Sequence, residues 1–130
     1  MAAIAGSLEE FAFDEVVMFI GKYSGKLTLC SLSSRRETFE MHIQDMTLQA
    51  MFVDQQALTE PAAALDAIVT IMSAKEGLFE FEPTPASELS QNLDIMLPQV
   101  MLDAATALDE FKESLKNLIN QKTVDSIFTN

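Results

Sequence analysis

The feature of this chain that most restricts its fold is an apolar seam towards the C-terminal end. Positions 97, 101, 104, 108, 111, 115 and 118 hold Leu, Met, Ala, Leu, Phe, Leu and Leu, separated alternately by four and three residues. Helical side chains meet neighbours three and four places away, so this spacing predicts a long helix over 94–120 carrying a heptad stripe. Up to Leu108 the stripe is broadened by Val100, Leu102, Ala105 and Ala107, as on a helix packed against its own domain. Beyond Leu108 only Ile119 widens it, among Lys112, Glu113, Lys116 and Asn117, and a narrow seam of that kind suits a coiled-coil contact. The seam alone, from 97 to 118, takes about 22 residues of helix and extends about 33 Å, whereas about four strands spaced about 4.8 Å apart span only about 20 Å. The distal half is therefore expected to overhang. Leu108, Phe111, Leu115, Leu118 and Ile119 are then expected to bury against a second copy of the chain in a homodimer. The alternative is a bent helix, or a tail in which Ile127 and Phe128 fold back over the seam within one chain.

Upstream, apolar residues at 13, 16, 17, 20 and 23 mark a first helix, Phe13 to Tyr23, which Gly21 or Ser24-Gly25 can close. Two-residue alternation follows in Lys26 to Leu32, in Thr38 to Gln44 with Phe39, Met41 and Ile43 on one face, and in Thr47 to Val53. These read as three antiparallel strands joined by short turns, the first turn carrying the Arg35-Arg36 doublet. Pro61, with Thr59 as its cap, opens a second helix that ends near Lys75. Leu78 to Glu82 is a fourth strand, with Phe79 and Phe81 directed into the core and Pro83 and Pro85 stopping the ladder. Thr84 to Leu93 is a polar linker. The expected fold is α+β: a small antiparallel sheet of about four strands, two shorter helices and a long C-terminal helix, in one domain spanning 1–130.

Charge narrows the choice of partner. Twenty Asp and Glu against eight Lys and Arg leave a net charge of −12, which repels phosphate backbones and anionic lipid surfaces, so neither nucleic acid nor membrane is expected. No basic, apolar leader precedes Phe11 and no run approaches about 18 apolar residues; a cytoplasmic protein is expected.

The residues for catalysis are sparse. One cysteine, Cys30, gives neither a disulfide framework nor a metal-ligand spacing. The single histidine, His42, falls on the polar face of its strand beside Glu40 and is expected at the surface. A Cys30–His42 nucleophilic pair would need a third residue to orient it, and none can be nominated. The acidic pairs Glu9/Glu10, Asp14/Glu15 and Asp109/Glu110 are adjacent in sequence and diverge by about 100° on a helix. Phosphate-loop, HExxH, GxSxG and Ca²⁺-loop spacings are all missing. No catalytic residue, metal or cofactor is expected.

Four separated segments resemble the PATAN family of bacterial signalling domains, also catalogued as a domain of unknown function. They are Gly6-Ser7-Leu8-Glu9-Glu10-Phe11 with the helix after it; Ser24-Gly25-Lys26-Leu27-Thr28-Leu29; the helix Ala62 to Ala74 running into Glu76-Gly77-Leu78-Phe79-Glu80-Phe81-Glu82-Pro83; and the long terminal helix. Together they span about residues 6 to 118. The resemblance implies a non-catalytic adaptor in bacterial signalling, often linked to motility, polarity or differentiation, and brings no catalytic residue with it. Asp45-Met46 stands where relatives commonly carry an Asn-Gly or Asp-Gly turn, which leaves the register of the second hairpin open.

Two functions follow as expectations. The leading one is a protein-interaction module that self-associates through the terminal helix. The second is a sensor of a small apolar ligand, its pocket lined by the adaptable side chains of Met41, Met46, Met51 and Met72.

Overall fold

The computed structural model describes residues 4–33 and 35–128, with side chains of the last helix described through Asn120. The chain is α+β, in the order β1 (Ile4–Ser7), α1 (Phe13–Ile20), β2 (Gly25–Cys30), β3 (Phe39–Gln44), β4 (Thr47–Val53), β5 (Gln56–Ala57), α2 (Pro61–Ser73), β6 (Leu78–Pro83), β7 (Ile95–Met96) and α3 (Leu97–Phe128). One antiparallel sheet runs β1-β6-β2-β3-β4-β5, with β7 also paired to β4.

The three alternating runs form the meander β2-β3-β4, and β6 joins it at the far side of β2. Register lines up Met51, Met41, Leu27 and Phe81 across four strands, and Phe39, Leu29 and Phe79 one layer along. Partners in register share a face, and these side chains are buried on the inner one. The helices cover that face with Phe13, Val16, Val17 and Ile20 from α1, Ala64, Ala67, Ile68 and Ile71 from α2, and Leu97, Val100, Met101 and Ala104 from α3. Phe79 and Phe81 thus point into the core as their alternation requires.

Three short strands, β1, β5 and β7, add to the expected four. Each has two to four residues, too few for a period to register, and each exists because a longer neighbour offers a ladder. Boundaries also differ from expectation. The last helix, expected over 94–120, begins at Leu97 because Ile95 and Met96 pair with β4, and it runs to Phe128. Helix α1 ends at Ile20, and Gly21 stays right-handed at φ −60°. Glycine is needed there for close approach, since a Cβ would lie 2.7 Å from Met46 Sδ and 2.8 Å from the Val17 carbonyl oxygen. The N-cap of α2 is Glu60 rather than Thr59, without a side-chain cap bond, and Pro61 occupies the first turn as expected.

The second hairpin is fixed in register. Gln44 pairs with Thr47, and Asp45 and Met46 both hold positive φ, 49° and 59°, the backbone of a two-residue turn whose twist matches its strands. Methionine is strained there, at a cost of about 1–2 kcal/mol. The turn is held on both sides: the Met46 N–H donates to the Gly21 carbonyl at 2.7 Å, and the Leu97 N–H donates to the Met46 carbonyl at 2.9 Å. One strained residue therefore ties the end of α1 to the start of α3. Further along the hairpin the pairing shifts between His42 and Ile43, leaving Gln49 as the extra residue of a bulge. Its carbonyl accepts the Leu93 N–H at 2.8 Å.

Candidate interaction site

Helix α3 divides into two parts. Leu97, Val100, Met101 and Ala104 are buried in the core, Leu108 is half-buried, and every residue from Asp109 to Asn120 is exposed. The cause is length. Helix α2, the main neighbour of α3, has 13 residues while α3 has 32, so at 1.5 Å per residue α3 outruns it by about 28 Å.

The heptad seam therefore continues past the body into solvent. Phe111 is 65% exposed, Leu115 46%, Leu118 51% and Ile119 55%. Of the five residues expected at an interface, four lie on this exposed segment and Leu108 lies at its root. The helix is continuous to Phe128; whether Ile127 and Phe128 turn back over the seam concerns side chains outside those described. The exposed apolar area is on the order of 400 Å², the size at which a surface patch marks an interaction site.

A second apolar surface is built by β1 and α1. Ile4 of β1, Phe11, Val16 and Phe19 line a groove of about 430 Å³ floored by Ile20 and Phe79. Phe11 meets Phe79 edge-on at 6.3 Å. Beside the groove Lys22 Nζ lies 5.7 Å from the Phe19 ring centroid and 5.5 Å from that of Tyr23, a cation–π cover over two exposed rings. Position 23, expected on the buried stripe of the first helix, lies beyond the helix end at Ile20 and is exposed, its ring 6.5 Å from that of Phe19.

His42 is not at the surface. It lies on the outer face of β3 as the alternation requires, yet it is only 3% exposed because residues 84–93 cross that face as a strap. The Thr84 N–H donates to the Ser24 carbonyl at one end, and Asn92 Nδ2 donates to the Leu58 carbonyl at the other. Between them the Ser90 N–H donates to His42 Nδ1 at 3.0 Å. Nδ1 must then be the acceptor, so the ring proton sits on Nε2 and points to Glu40 Oε2 at 2.9 Å. The Phe52 ring packs on the imidazole at 5.1 Å. Both ring nitrogens are engaged, Nδ1 by the strap and Nε2 by Glu40 of the same strand.

Cys30 and His42 lie on the same face of adjoining strands, but His42 is opposite Lys26, four residues from Cys30. At about 3.3 Å per residue they are about 13 Å apart, beyond proton-transfer reach. Met41 and Met51 are cross-strand partners in the core, Met46 is at the hairpin turn, and Met72 lines a cavity with Leu8 and Phe13; the four do not converge on one pocket. Arg35 and Arg36 are exposed in the β2–β3 loop, where Arg35 pairs with Glu37 at 3.1 Å. Among the described residues no three Asp, Glu, His or Cys side chains are grouped to hold a metal, and no helix is long and apolar enough to cross a membrane.

A scan against protein-family models finds no match, and searches of curated proteins and of solved structures return none either.

Proposed function

We propose that this chain is a non-catalytic protein-interaction module that self-associates through the distal half of α3. The observation that carries the reading is the exposed seam of Phe111, Leu115, Leu118 and Ile119. It continues the stripe that the body buries and then runs on beyond it into solvent, an arrangement that is costly in water unless a partner covers it. The resemblance of residues 6 to 118 to PATAN domains supports an adaptor role in bacterial signalling, with a basic or apolar protein surface as the further partner. The separation of Cys30 from His42 and the structural use of both imidazole nitrogens support a role without chemistry.

Light scattering tests this reading. The wild-type chain should have twice the monomer mass, and Leu115→Glu, which places a charge in the seam without touching the core, should halve it. A monomeric wild-type mass, unchanged in Leu115→Glu, would sink the proposal.

A further inference from the structure

We infer that the two α3 helices of the dimer run antiparallel, with the two-fold axis passing between Leu115 and Leu118 and the two bodies at opposite ends. The inference rests on the self-association proposed above and adds its geometry. Two independent observations lead to it.

The first is steric. The buried half of the stripe, centred on Met101, and the exposed half, centred on Leu115, are two heptads apart, and a straight helix drifts about 20° per heptad. The body and the exposed seam therefore lie within about 40° of the same side of α3. Packed helices sit about 8–10 Å apart. In a parallel pair, both bodies would stand between the two helices at the same level. Helices α1 and α2 pack on α3 from the seam side, so at that level the α3 axes would be separated by at least three such spacings, about 24–30 Å. Straight helices that far apart at Met101 and in contact at Leu115, about 21 Å further on, would have to splay by roughly 45–55°, touching at one point where a heptad seam packs lengthwise at about 20°. Reversing one chain removes the conflict. Each exposed segment then lies beside the other, and each helix ends where its partner's body begins. The overlap runs from Leu108 to the helix end at Phe128, about 30 Å, and its midpoint sets the axis near Leu118; the apolar seam, ending at Ile119, draws it towards Leu115.

The second is electrostatic. Residues 1–108 hold sixteen of the twenty acidic residues and five of the eight basic ones, a net charge of −11, leaving −1 for residues 109–130. A parallel pair sets two such bodies side by side. The antiparallel pair separates them by the length of the overlap, several times the roughly 8 Å screening length at physiological salt. The overlap itself, with Lys112 and Lys116 among Asp109, Glu110 and Glu113, is nearly neutral. Two seams of about 400 Å², widened by the stems of these flanking residues, reach the roughly 1,000 Å² that a specific interface needs.

Spin labels distinguish the arrangements. Thr106 and Lys116 are exposed on α3, so Thr106→Cys and Lys116→Cys, each in a Cys30→Ser background, leave the core intact. For the antiparallel pair the two copies of position 106 should lie about 30 Å apart or more along the axis and those of position 116 level with each other, so the first distance clearly exceeds the second. Equal distances at both positions in a chain of dimeric mass would overturn the antiparallel arrangement and leave self-association standing. A monomeric mass with no intermolecular distance at either position would overturn both.

Discussion

Ser90 donates its backbone N–H to Nδ1 of His42 over 3.0 Å, across the outer face of the sheet. The single histidine is thereby a structural residue. His42→Ala removes the acceptor from that amide and opens space under Phe52, so it should cost about 2 kcal/mol. Amide hydrogen exchange gives the sharper reading: protection should fall at Ser90 and its neighbours in the strap while the mass in light scattering stays dimeric. Unchanged exchange at Ser90 would show that the imidazole does not hold the strap.

Phe81 lies at the centre of the inner face, 1% exposed and opposite Leu27. Phe81→Ala should cost about 3–5 kcal/mol, a large share of an ordinary domain's stability. Gly25→Ala should be comparably harmful, because its Cβ would run into the Phe81 ring and fall 2.6 Å from the Glu82 carbonyl oxygen, and the backbone atom cannot move aside. Thermal denaturation checks both; a Gly25→Ala protein with the wild-type Tm would contradict the packing described.

The turn between β4 and β5 offers a gain in stability. Asp54 and Gln55 hold φ of 49° and 71°. Asp54 uses its side chain, accepting the Thr38 N–H at 2.8 Å, whereas Gln55 is exposed. Gln55→Gly relieves the left-handed strain and should stabilise the fold by about 0.5–1 kcal/mol, less than the full strain because glycine also loosens the unfolded chain. A lower denaturation midpoint in urea would be the contrary result.

Ending the chain after Glu110 removes no buried side chain among the described residues. The shortened chain should keep its cooperative melting transition and become monomeric. Failure to fold would mean that the body depends on the distal helix, and a retained dimer would move the interface elsewhere, the groove of Ile4, Phe11 and Phe19 being the next apolar surface.

By itself the sequence determined those elements whose period repeats often enough to specify a face. Phe39, Met41 and Ile43 needed three alternations to declare β3, and the terminal seam needed three heptads. Both act locally, because side-chain direction follows from backbone geometry alone. Strands β1, β5 and β7 are too short to carry a period and form only where β6 and β4 present unpaired backbone. The alternation of β3 placed His42 on the outer face, but its burial came from residues 84–93, more than forty positions away, whose polar composition names no destination. The positive φ at Met46 is likewise a tertiary outcome, held by backbone bonds to Gly21 and Leu97 that local propensity opposes. At α3 the two levels meet: spacing defined one stripe from Leu97 to Leu118 and its narrowing beyond Leu108 marked the distal half, while the tertiary structure set how much is left uncovered, because the body is too short to shelter a helix of 32 residues.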